Sequence, residues 1–356
     1  MLGYSVRRLL LIIPTLLGIL LVNFAIVQAA PGGPVEQAIA RMQGLDMAQD
    51  LGGATVDSFA TTATSSASRG LDPRLVADIE RQYGFDKPPL QRLWLMLTQY
   101  AQLDFGSSFY RGISVTDLIA EKMPVTVSLG LWALLITYGI SIPLGIRKAV
   151  NNGSAFDVWT STLIIIGYAV PAFLFALLLI LMFGGGSGLN WLPIRGLVSE
   201  DFATLSAAGK VLDYLKHLVL PVTALVVGGF ATLTLLTKNS FLDELSRQYV
   251  ITARAKGAGE RQVLYGHVLR NAMLMVTAGL PSAMLHVFFG GSLLIEVLFS
   301  LDGMGRMSYE AAVSRDYPVV FGSLFIFTLA GLLIKLVGDL CYRLIDPRID
   351  FSSRGH

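Results

Sequence analysis

Six apolar blocks, each about as long as a bilayer crossing, constrain this chain more than any other feature. They fall at residues 9–30, 125–146, 161–183, 218–237, 274–298 and 319–342. A hydrocarbon core about 30 Å thick takes about 20 helical residues to cross. In lipid, only helices and closed barrels satisfy every backbone group internally, and continuous apolar runs of this length read as helices. The expected fold class is therefore an all-α membrane protein, and six crossings put both termini on one side. Composition agrees: 53% of the 356 residues are hydrophobic and 15% charged, too little polar surface for a soluble globule of this length. The first block follows Arg7 and Arg8 and ends in Gln28-Ala29-Ala30, as a cleaved secretory signal would. Its apolar stretch exceeds the usual h-region, which favours a retained helix.

Charge sets the orientation. With the N-terminus inside, the cytoplasmic segments hold Arg7, Arg8, Arg147, Lys148, Lys238, Arg247, Arg254, Lys256, Arg261, Arg270, Arg343, Arg348 and Arg354. The short outer loops hold only Arg195, Lys210, Lys216, Arg306 and Arg315. The positive-inside rule thus expects an inner-membrane protein with N- and C-termini in the cytoplasm. A net charge of +2 gives no support to nucleic-acid binding. The single cysteine, Cys341, excludes an intrachain disulfide and a Cys-rich metal site.

Residues 31–124 form a long outer loop. Pro31-Gly32-Gly33-Pro34 breaks the first helix, and residues 44–70 are so rich in Gly, Ala, Ser and Thr that a flexible insert is expected. Asp72-Pro73 starts a short helix that Gly84 stops, and Pro88-Pro89 starts another carrying Leu90, Leu93, Trp94, Leu97, Tyr100 and Ala101 at helical spacing. That stripe is expected to pack on the membrane domain or rest at the interface. The remaining organisation reads as an N-terminal helix over 1–30, a five-helix core over 125–342 with a cytoplasmic loop over 238–273, and a tail over 343–356.

Signals of catalysis are absent. Gly209-Lys210 is followed by Val211 and has Thr204 where a phosphate-binding loop needs glycine. No His-Glu-x-x-His pair or Gly-x-Ser-x-Gly elbow occurs. Ionisable groups inside spans are functional candidates by default. His286 and Glu296 share the fifth block but lie ten residues apart, about 15 Å of rise and about 80° of rotation, so they cannot share a proton directly. His286 suits either an interhelical hydrogen bond or a substrate contact. Lys335 and Asp339 are i,i+4 neighbours and suit an ion pair. Glycine and proline inside the spans, among them Gly167 with Pro171, Gly279 with Pro281, and Gly290-Gly291, allow close packing and kinks.

The loop over 238–273 contains the run Tyr249-Val250-Ile251-Thr252-Ala253-Arg254-Ala255-Lys256-Gly257. A short charged helix on the cytoplasmic face is placed to be pushed by a soluble partner. This run, with His267-Val268-Leu269-Arg270-Asn271 after it, resembles the coupling-helix motif in the permease subunit of bacterial peptide ABC importers of the dipeptide/oligopeptide B type. Other stretches are similar to that family in order and spacing: Ala30-Pro31-Gly32-Gly33-Pro34, Tyr83-Gly84-Phe85-Asp86-Lys87-Pro88, Asp104-Phe105-Gly106-Ser107-Ser108, Ile295-Glu296-Val297-Leu298-Phe299 with Gly303-Met304-Gly305, Arg315-Asp316-Tyr317-Pro318, and Asp346-Pro347-Arg348-Ile349. The long insert and the wording around Leu236 to Glu244 are most similar to the Yej-type B subunit, associated with uptake of peptides including the peptide-nucleotide microcin C.

The resemblance implies a type I ABC importer permease fold and a machine of several chains. A second, unlike permease subunit completes the pathway, ATPase subunits that bind ATP and magnesium dock beneath it, and a periplasmic solute-binding protein delivers peptide. No cofactor is expected on this chain. Tyr249, Thr252, Ala253, Arg254, Ala255, Lys256, Gly257, Arg270 and Asn271 would couple it to the ATPase, while His286, Glu296, Arg315 and Asp316 are candidates for the pathway or its gate. The broader importer motif carries Glu where this chain has Ile251. Arg254 and Lys256 either meet acidic groups on the ATPase or serve only as positive-inside charges. A proton-coupled secondary peptide transporter is the alternative, and it needs no cytoplasmic dock.

Overall fold

The computed structural model describes residues 2–29, 87–184, 189, 191–285 and 293–345. His286, Gly290, Gly291, the 44–70 insert, the helix expected after Asp72-Pro73 and the end of the tail lie outside them. Among the described residues no strand forms, and one antiparallel bridge joins Ser107 to Ser114. The helices are α1 (Leu2–Ala29), α2 (Pro89–Ala101), α3 (Val115–Val150), α4 (Ala155–Ala169), α5 (Ala172–Phe183), α6 (Ala207–Leu245), α7 (Gln248–Ala255), α8 (Glu260–Leu285), α9 (Leu293–Leu298), α10 (Met304–Val313) and α11 (Tyr317–Ile345).

Five of these stretches are long and apolar enough to cross a membrane alone: Val6–Ile26 of α1, then α3, α6, α8, and Tyr317–Leu340 of α11. The third expected span needs correction. Residues 161–183 are not one straight rod, because α4 and α5 meet at 96°. Pro171 removes a backbone donor and forces Val170 out of helical geometry, to φ −86° and ψ 121°. Counting the bent pair as one crossing restores six. The fifth block is likewise not a single described helix: α8 ends at Leu285 and α9 begins at Leu293. Within α8, Val263–Val268 is a π-helical turn, which nothing in the local sequence announces.

Contacts divide the chain into two units. The first comprises Met1–Arg8, Ala120–Tyr309 and Ala330–His356. One of its apolar cores joins Leu129 and Ala133 of α3, Ala176 and Leu179 of α5, Leu218 and Val222 of α6, and Ile295 of α9. A second joins Ile146 and Ala149 of α3, Phe241 of α6, Val250 of α7, and Val263, Val268 and Ala272 of α8. Gly145 lets α3 approach α6 closely, since a Cβ there would sit 2.6 Å from Thr237 Cβ. Asp339, expected beside Lys335, forms an ion pair with Arg8 of α1, so its charge is met from another helix.

The second unit comprises Leu9–Ile119 and Glu310–Leu329. Here α2 starts with proline at its first turn, as its sequence predicts. Its apolar stripe is buried only toward the end: Tyr100 packs edge-on against Phe105 and Phe325 at 4.9 and 5.5 Å, while Leu90 and Trp94 are exposed. Gly322 of α11 leaves room for Phe105 and Val115.

Candidate functional site

The loop between α6 and α8 folds from its own sequence. α6 runs past its apolar block to Leu245, and Arg247, with extended backbone at ψ 147°, turns the chain into α7. In α7 the residues Tyr249, Val250 and Ala253 fall on one side of a 3.6-residue period. They face inward, with Val250 fully buried and Tyr249 and Ala253 packed against the second core. The Tyr249 hydroxyl donates to Glu244 Oε2 at 2.6 Å and also meets the Asn271 side chain. Burial first, and the Glu244 carboxylate second, hold that hydroxyl above its ordinary pKa. Lys256 N–H closes the helix on Thr252 O at 3.0 Å, and Gly257 then adopts φ +84°. Only glycine takes that conformation without strain, so the turn expected at Gly257 is present.

Thr252, Arg254, Ala255, Lys256 and Gly257 are exposed, as are Arg270 and Asn271 on α8. The structure thus brings Tyr249 and Asn271 together, turns Ala253 toward its own chain, and leaves the other residues accessible. Arg254 is engaged by Glu260 in the same loop, Nε to Oε1 at 3.0 Å and the second nitrogen to Oε2 at 3.1 Å.

Beside this seat lies a polar hub that the sequence reading missed. Lys148 of α3 is fully buried, and its Nζ lies 3.0 Å from Asp157 Oδ1 of α4. It also donates to the Asp157 carbonyl, Thr160 Oγ1 and Ser161 Oγ at 2.9, 2.8 and 2.7 Å. Lys238 of α6 reaches the same carboxylate at 2.7 Å, and Gly153 N–H donates to it at 3.0 Å. Three helices are therefore pinned at one carboxylate. Ser154, which accepts from Asp157 N–H, with an acid three residues later is a legible helix-start signal. That signal gives no hint that two lysines converge there.

At the far end of α3, Glu296 is completely buried. Thr126 Oγ1 donates to its Oε1 at 2.9 Å, and Arg306 N–H, in the first turn of α10, donates to Oε2 at 2.8 Å. A carboxylate at a helix N-terminus meets unsatisfied N–H groups and the favourable end of the dipole. Thr126 also accepts from Met304 N–H at 2.8 Å, and one turn earlier Lys122 pairs with Asp302. Gly303 and Gly305 are small because the carboxylate fills their space: a Cβ on Gly303 would come within 2.5 Å of Oε1. The candidate gate residue Glu296 is thus held by its own chain.

Asp316 is also buried. Ser108 Oγ donates to its Oδ2 at 2.5 Å and Phe109 N–H to Oδ1 at 3.2 Å. Tyr110 hydroxyl donates to the Ser314 carbonyl, and Arg111 pairs with Glu310 at 2.9 Å. Arg315 turns the chain between α10 and α11 at φ +57°. Two motifs, Asp104 to Ser108 and Arg315 to Pro318, whose bonded residues Ser108 and Asp316 are 208 positions apart, are in this way one clasp.

Residues 141–351, more than half the chain, match the family model described as the binding-protein-dependent transport system inner membrane component. The chain belongs to this family. This permease is 56% identical over 360 residues to the peptidoglycan transport system permease protein YejB of Agrobacterium fabrum (strain C58), covering 99% of both chains. It is 57% identical over 362 residues to the inner membrane ABC transporter permease protein YejB of Escherichia coli O157:H7, covering 99% of this chain and 100% of that one. It is 34% identical over 356 residues to the oligopeptide transport system permease protein AppB of Bacillus subtilis (strain 168), covering 99% and 100%. The resemblance drawn from the motifs therefore holds. The permease is a multi-pass membrane subunit that works with separate ATPase and binding-protein partners.

Proposed function

We propose that this permease imports peptides from periplasm to cytoplasm as one of two unlike permease subunits, driven by ATPases that push α7. The observation that carries the reading is its full-length likeness to two YejB permeases at 56% and 57% identity. One of those relatives is described by peptidoglycan transport, and the Yej-type resemblance points to microcin C. The proposed cargo is therefore a short peptide bearing a bulky non-peptide group, of which a muropeptide and a peptide-nucleotide are two instances. The proposed orientation has α7 and both termini in the cytoplasm, and the basic residues Arg254, Lys256, Arg261 and Arg270 support it by the positive-inside rule.

Geometry supplies a route for the push. Val250 of α7 shares a core with Ile146 and Ala149 of α3, Phe241 of α6 and Val268 of α8. A displacement of α7 moves those helix ends together, because a close-packed core shifts between discrete arrangements rather than deforming. The Asp157 hub carries α4 along. α3 then delivers the motion to Thr126, twenty residues and about 30 Å from Ile146, where it grips Glu296. Closing and opening of the ATPases thereby alternates access to the cavity between the two permeases.

The test is reconstitution in proteoliposomes with a second permease, the ATPases and a binding protein. Uptake of labelled oligopeptide, muropeptide or microcin C is expected only with all components and ATP. Accumulation by this chain alone, driven by a proton gradient, would overturn the proposal in favour of a secondary transporter.

A further inference from the structure

We infer that the ATPase groove receiving α7 is apolar, and that it is filled by an uncharged ridge centred on Ile251 rather than engaged through an ion pair. This rests on the proposal that α7 is the coupling helix. With Tyr249, Val250 and Ala253 turned to the core, the opposite face is Gln248, Ile251, Thr252 and Ala255, spaced i, i+3, i+4 and i+7. None of the four is charged. Ile251 is 53% exposed and is the large apolar side chain of the ridge, standing between small Thr252 and Ala255. The Thr252 hydroxyl is already committed to Gln248 O at 3.0 Å. Arg254 lies to the flank of this ridge, where Glu260 of the same loop takes two of its nitrogens, so the centre of the exposed face carries no charge of its own. A single branched knob on a neutral helix face fits a hole lined by apolar side chains, and a buried charge opposite it would have no counter-ion.

The test measures ATPase binding to the permease pair in nanodiscs, with uptake by the full complex as a second readout. Ile251→Ser is expected to weaken association about tenfold, the worth of an exposed apolar side chain buried on docking. Ile251→Glu is expected to weaken it further, and Arg254→Gln to weaken it less than Ile251→Ser. The loss at Ile251→Ser is expected to persist from about 50 mM to about 500 mM salt, because burial of apolar surface is not screened. Ile251 is exposed, so these variants fold. Binding by Ile251→Glu as tight as wild type, or tighter, would overturn the apolar groove. Ala255→Trp separates the two failures, since its bulk blocks a groove of any chemistry. If Ala255→Trp abolishes binding while Ile251→Glu is tolerated, only the apolar groove is wrong. If Ala255→Trp also binds and transports normally, α7 is not the docking helix.

Discussion

Replacing Asp157 with alanine should cost this permease more stability than any other single change at its polar hub. The substitution strands Lys148, which is fully buried, with three neutral acceptors at 2.7 to 2.9 Å and no counter-charge. Removing one partner of a buried ion pair costs about 3–5 kcal/mol. The three acceptors offset part of that, which places Asp157→Ala near the lower end. Lys238 keeps slight solvent access and adds little, because a lysine head can reach water along its own stem. Lys148→Met is the contrasting variant. It leaves Asp157 paired with Lys238 and bonded to Gly153 N–H, and so should cost about 1 kcal/mol. For folded units of this size each kcal/mol moves the midpoint by roughly 2–4 °C, so Asp157→Ala is expected to lower Tm by roughly 6–12 °C and Lys148→Met by a third of that. The assay is thermal unfolding of the purified complex in nanodiscs at one fixed scan rate, because irreversible unfolding makes the midpoint rate-dependent. Asp157→Asn, which keeps an acceptor, should fall between the two and should lower uptake per ATP hydrolysed more than hydrolysis itself. Lys148→Met costing as much as Asp157→Ala would refute the idea that one carboxylate holds three helices.

Three further outcomes follow from the geometry. Gly303→Ala would place a methyl 2.5 Å from Glu296 Oε1 and 2.7 Å from Oε2; displacing that buried carboxylate from its two donors should cost about 3 kcal/mol, read as a lower Tm, and pairing it with Glu296→Ala should give less than the sum of the single losses. Gly257→Val meets nothing within 4 Å, so its penalty is confined to φ +84° and amounts to about 1–3 kcal/mol; uptake and stimulated ATP hydrolysis should fall together at normal expression, while Gly257→Asn retains more of both. Lys256→Cys, made in a Cys341→Ala background, should resist a membrane-impermeant thiol reagent in intact cells and react once the inner face is opened, and equal labelling in both preparations would reverse the assigned orientation.

The crossings were legible because their cause is local: about 20 apolar residues leave a chain in lipid no alternative to a helix. The bend between α4 and α5 was legible in kind, since Pro171 forbids helical geometry at Val170, but its 96° is set by packing. The seat of α7 was legible by period, since Tyr249, Val250 and Ala253 recur on one face. Lys148 and Lys238 were legible only as topogenic charges. Their convergence on Asp157 needs three helices to be placed first, and no spacing along the chain encodes a contact between Asp157 and Lys238, 81 residues apart.

Glu296 and Asp316 show the same limit from the other side. An acid in or beside a membrane helix reads as part of a pathway, because burying a charge without a functional return is costly. Both are instead met by groups the chain supplies. Glu296 accepts from Thr126 and from an N–H at the start of α10, beside a Gly303 that has no Cβ to contest the space. Asp316 accepts from Ser108 and Phe109 N–H. Each acid costs little where it sits because a helix end or a tight turn already presents donors that would otherwise go unpaired. The motifs on either side, Gly303-Met304-Gly305 and Asp104 to Ser108, are then the counterparts of those carboxylates. Each acid thus ties together segments of its own chain: Glu296 holds the start of α10 to Thr126 of α3, and Asp316 holds the turn before α11 to Ser108 and Phe109.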